Sequence, residues 1–69
     1  MISYKPLFKT LVDKGLKKAD LKVRLNISSR TLAKFTHGHP VSLTLLESIC
    51  KELDCQIQDV VEFLPENTD

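Results

Sequence analysis

A chain of 69 residues is near the lower limit at which one hydrophobic core holds a fold without disulfides or metals, so a second domain is excluded. Its composition, 42% hydrophobic and 28% charged with only two glycines, excludes disorder and favours helix over sheet. The net charge is only +1, yet residues 1–39 hold nine cations against Asp13 and Asp20 (+7), and residues 40–69 hold Lys51 against seven acids (−6). Such a split suits a domain that turns one face to a polyanion and the other away from it. No apolar run approaches the ~18 residues of a membrane span, and no charged-then-apolar leader precedes the domain. The chain is therefore expected to be soluble and cytoplasmic, with no membrane role.

Along the chain, Leu7, Phe8, Leu11 and Val12 make one apolar stripe, predicting a first helix over 5–14 with Gly15 as its stop. "MISY" before it is either a short strand or a frayed end. Leu21 and Leu25, four apart, predict a second helix over 17–25, with Asp20 suiting its first turn and Asn26 ending it. Ser28 caps a third helix over 28–37, which Gly38 closes and Pro40 prevents from continuing. Ser42 caps a fourth over 42–53, packing Leu45, Leu46, Ile49, Cys50 and Leu53 inward. A fifth is expected over 57–63, offering Val60, Val61, Phe63 and Leu64 before Pro65. The result is an all-helical, five-helix bundle over residues 1–69. The connection between the second and third helices is too short for them to pack antiparallel along their length. That favours a steep crossing, as in a helix-turn-helix unit.

The third helix holds the informative pattern. At 100° per residue Ser29, Ala33, His37, Arg30 and Lys34 fall in one arc of about 140°, opposite Leu32 and Phe35, with Thr31 and Thr36 at the borders. The apolar pair anchors the helix, and the arc presents short donors, one small residue and two long cations. No acid interrupts it. Arg30 suits bidentate donation to guanine O6 and N7, Ser29 suits base edges or phosphates, and Ala33 suits a thymine methyl or close approach. A solvated helix face is the plain alternative, outweighed by the charge asymmetry and the steep helix pair.

Other chemistry finds little support. Cys50 and Cys55 are five apart, and neither they nor His37 and His39 match a structural zinc pattern, so no metal and no cofactor is expected. These groups and the scattered acids also lack the spacing of a nucleophile with its base, so an enzyme is not expected.

With Leu21, Leu25, Ile27, Leu32 and Phe35 as apolar positions, Gly38 after the third helix and Ser42 before the fourth, the chain resembles the lambda-repressor-like Cro/C1-type helix-turn-helix family, in its short, single-domain branch. The likeness runs from Leu7 to about Leu64. It implies that Ser29, Arg30, Ala33 and Lys34 read base edges in the major groove. It implies phosphate contacts for Lys18, Ser28, Thr36, His37 and Ser42, to which Lys17 and Thr31 are added as neighbours on the same surface. Three departures stand out. Lys22 occupies a place usually held by alanine, where its amine must travel outward along its own stem. Asn26 replaces a turn glycine, and Lys17 replaces a Ser or Thr cap, losing ~1 kcal/mol of capping while adding a cation.

The function implied is sequence-specific binding of double-stranded DNA by a transcriptional regulator, a repressor acting as a homodimer. Exposed Val61, Phe63 or Leu64 would suit the self-complementary patch. The alternative is a protein-interaction module, such as an antitoxin, binding a basic protein partner through the acidic C-terminal half.

Overall fold

The structure is a computed structural model that describes residues 1–66; Asp69, counted above among the acids, lies outside the described residues. Four backbone positions with positive φ mark where the chain turns: Gly15, Asn26, Gly38 and Asp54. They close α1 (Lys5–Asp13), α2 (Lys18–Leu25), α3 (Ser29–His37) and α4 (Leu43–Leu53). After each, the next amide folds back onto a carbonyl five residues earlier: Leu16 to Leu11 at 2.8 Å, Ile27 to Lys22 at 3.2 Å, His39 to Lys34 at 2.9 Å, and Cys55 to Cys50 at 3.0 Å. This satisfies carbonyls that a helix end otherwise leaves unpaired. Asp54 joins the three stops expected from sequence because a short polar side chain tolerates the left-handed backbone.

The helix starts are equally local. Ser28 and Ser42 accept the amides of Thr31 and Leu45, each at 3.1 Å. Lys17 has no acceptor to offer α2, so only the reverse half of a capping box forms, with the Lys17 amide donating to Asp20 Oδ2 at 2.8 Å.

Leu7 and Leu11 of α1, Leu21 of α2, Phe35 of α3, and Leu46, Ile49 and Leu53 of α4 form the core, closed by Tyr4 and Val60. The stripe on α1 is narrower than its spacing suggests: Phe8 is half-buried, and Val12 is 75% exposed. Leu45 and Cys50 on α4 are likewise only half-buried.

The expected fifth helix over 57–63 is not formed, which corrects both the helix count and the all-helical class. A single 3-10 turn covers Ile57–Asp59, docked on α1 by the Thr10 hydroxyl, which donates to the Asp59 carbonyl at 2.7 Å. The chain then extends into β2 (Glu62–Phe63), which pairs antiparallel with β1 (Ile2–Ser3) in the register Ile2 to Phe63 and Ser3 to Glu62. Four helices and a two-stranded ribbon result. Seven residues beginning so near Pro65 make a poor helix nucleus, and the β-branched pair Val60–Val61 lowers helix propensity further. Val60, which ends the 3-10 turn, is fully buried, whereas Phe63 on the strand is 81% exposed. The segment "MISY" thus resolves as a strand followed by a buried tyrosine.

Gly38 sits where this ribbon meets α3. Its φ is +70°, and a Cβ there would stand 3.0 Å from the carbonyl oxygen of Ile2. Gly15 has the same φ with open space around it. Gly15→Ala is therefore expected to cost only the left-handed strain, ~1 kcal/mol, whereas Gly38→Ala must also push β1 aside and cost ~2 kcal/mol or more. By thermal melting Gly38→Ala should fall lower than Gly15→Ala by ~4–8 °C per kcal/mol of difference. Equal melting points would mean that the close approach of Ile2 carries no energy.

Candidate nucleic-acid interface

Helix α3 is bound to the core from one side only. Phe35 is 1% exposed, and its ring meets Tyr4 edge-to-face at 4.9 Å, an arrangement that adds to plain burial. The Tyr4 hydroxyl then donates to the carbonyl of His39 at 2.6 Å, holding the backbone where α3 ends. Burial pushes the phenol upward, with a backbone bond to Val41 pulling the other way. Leu32 is half-buried on the same side. With that side fixed, Ser29, Arg30, Ala33, Lys34 and His37 all face solvent, as the helical spacing requires.

Around Ala33 the missing side-chain volume leaves a shallow basin of about 230 Å³, walled by Arg30, Lys34, His37 and His39. Every wall side chain carries nitrogen and none is acidic. Among the described residues the ion pair present is Lys51 with Glu47, at 3.9 Å and exposed, so neither Arg30 nor Lys34 is neutralised by a neighbouring carboxylate. Neither α3 nor α4 carries an acid in its first turn. The partial positive charge of both helix starts is left for an anion.

The flanking residues differ in how free they are. Lys17, Lys18, Ser28, Thr36, His37 and Ser42 are exposed, and Thr31 is half-buried. Ser28 spends its hydroxyl inside the protein, accepting the Thr31 amide and donating to Thr31 Oγ1 at 3.0 Å. The Ser42 oxygen is engaged by its cap bond but its proton is not. Lys18 stacks its ammonium over Phe8, 4.6 Å from the ring centroid, and donates to Thr36 Oγ1 at 3.2 Å. Lys22, to which sequence reasoning assigned no role beyond its odd position, reaches across to α3 and donates to Ser29 Oγ at 2.6 Å. The two residues lie on different helices across a turn, so the periodicity of neither helix brings them together.

Cys50 and Cys55 are free and half-buried. Burial first, and then the neighbouring Cys50 and Asp59, push the Cys55 thiol up, so little thiolate forms at neutral pH. Among the described residues, no helix is long and apolar enough to cross a membrane.

Residues 7–66 match the Cro/C1-type helix-turn-helix DNA-binding domain. The chain belongs to that family. A solved structure agrees: the crystal structure of the transcriptional regulator VanUg, form II, is 42% identical and superposes with a TM-score of 0.90. The match covers 94% of this chain and 87% of that one. A search of curated proteins finds no match. The fold of this Cro/C1-type domain is a compact, mostly helical one of four helices with a small two-stranded sheet.

Proposed function

We propose that residues 1–69 act as a single-domain transcriptional regulator that binds specific double-stranded DNA sites in the cytoplasm, at the nucleoid, and represses from them as a homodimer. The observation that carries this reading is the outward face of α3: four residues aimed at solvent from a fully anchored helix, with no acid beside them. Laid in a major groove, Arg30 would donate to a guanine, Ser29 and Lys34 to base acceptors, and Ala33 would admit a thymine methyl. Lys17, Lys18, Thr31, Thr36, His37 and Ser42 would then border the phosphates, with Ser28 contributing through its backbone rather than its committed hydroxyl.

Support for two copies comes from the opposite kind of surface. Leu43 and Phe63 are 80% and 81% exposed, and with Ile57 and Val61 they line a groove of about 210 Å³ that contains no charged residue. In a chain as charged as this one, a neutral apolar groove beginning just past the end of α3 suits a second copy of itself. Two α3 helices would then enter successive major grooves, with half-sites ~10 base pairs apart.

The test is duplex binding as a function of salt. Three or four phosphate contacts per domain predict that affinity falls roughly 40- to 150-fold per domain between ~50 and ~200 mM salt. Affinity that does not fall across that range would show that the cationic face does not contact the duplex.

A further inference from the structure

We infer that Lys22 is a specificity-determining residue, which holds the Ser29 hydroxyl as a proton donor and thereby selects a guanine edge. This rests on the DNA-binding reading above and adds to it a residue on α2. A serine hydroxyl ordinarily reads either way, since it both donates and accepts. Here the Lys22 ammonium lies 2.6 Å from Ser29 Oγ and has only protons to give, so it occupies an oxygen lone pair. A cation on that oxygen draws electron density from the O–H bond, making the remaining proton a better donor and the oxygen a poorer acceptor. The other two ammonium protons stay free beside it, as Lys22 is exposed and forms no ion pair among the described residues. One lone pair of the oxygen remains, weakened as an acceptor by the adjacent cation, so the pair presents three protons against one poor acceptor. Guanine alone offers two acceptors, N7 and O6, on its major-groove edge, whereas cytosine offers only its N4 amino donor. Adenine is intermediate, with one acceptor and one donor.

The position at the first turn of α3 gives the pair its reach. Ser29 begins the helix, and Lys22 approaches from α2 over the turn rather than along α3, so neither blocks the basin around Ala33. Lys18 makes the comparable bond to Thr36 at the far end, yet its ammonium is also held over Phe8 and is less available to a ligand.

The experiment selects binding sites from random duplexes using the full chain and four variants: Ser29→Ala, Lys22→Met, Lys22→Arg and the double variant. Thermal melting verifies that each is folded. Ser29→Ala should erase the preference at one base pair of each half-site, which identifies the position. At that position the parent should prefer guanine over cytosine about tenfold. Lys22→Met, which keeps the stem but loses the charge, should reduce that ratio below about threefold, and Lys22→Arg should restore it. The double variant should be no more relaxed than Ser29→Ala. If Lys22→Met selects the same sites as the parent and only lowers the salt slope by about 0.9 per bound domain, the lysine merely neutralises a phosphate and the inference is overturned alone. If the parent chain shows no duplex affinity, the DNA-binding reading falls and the inference with it.

Discussion

Phe35→Ala is expected to lower the melting point steeply or to abolish the cooperative transition. Truncating a buried phenylalanine costs ~3–5 kcal/mol through lost transfer energy and the cavity left behind. Phe35 is 1% exposed and also loses its edge-to-face partner Tyr4 at 4.9 Å, which places it toward the upper end. A chain of 69 residues has a total stability of roughly 3–10 kcal/mol, so the substitution removes much or all of it. Circular dichroism should show a melting point lowered by ~15–30 °C, or no cooperative transition. Val23→Ala is the matched control: its side chain is 80% exposed, and the change should stay within ~0.5 kcal/mol. A Phe35→Ala protein that melts within a few degrees of the parent would mean that α3 is not anchored through this ring.

The second large effect is on binding. Arg30→Ala should weaken binding to a preferred duplex by ~1–3 kcal/mol, roughly 5- to 150-fold, and relax preference at one base pair. Arg30 is exposed and forms no ion pair among the described residues, so its removal should leave the melting point nearly unchanged. Lys18→Ala should behave differently, weakening all sequences about equally and reducing the salt slope by about 0.9 per bound domain. It should also lower stability slightly, because the ammonium lost was stacked on Phe8 and bonded to Thr36. Titrations against a preferred and a scrambled duplex separate the two. Two variants with the same profile would contradict the division between reading and positioning residues.

Much of the fold was legible because its signals are local. Ser28, Ser42, Asn26 and Gly38 each act within five residues of themselves, and the caps they imply are those observed. The outward arc of α3 follows from helical geometry once Phe35 is placed inside. What sequence spacing missed is long-range. Val60, Val61 and Leu64 fit a helix nearly as well as a strand, and the partner that decides between them, Ile2–Ser3, lies some 60 residues away in the chain. Tyr4 was obscured for the same reason, since its ring and hydroxyl are satisfied by Phe35 and His39. The candidate site shows the same division: its exposed face was readable, whereas the bond from Lys22 to Ser29 depends on how two helices meet.

The tyrosine that reaches both Phe35 and the His39 carbonyl touches α3 in its body and at its exit. Two such points define a direction. The helix therefore arrives at a ligand already oriented, and docking need not extract that orientational entropy from the contacts it makes. Calorimetry of complex formation should accordingly record a heat-capacity change set by the contact area alone, without the larger decrement that accompanies folding upon association.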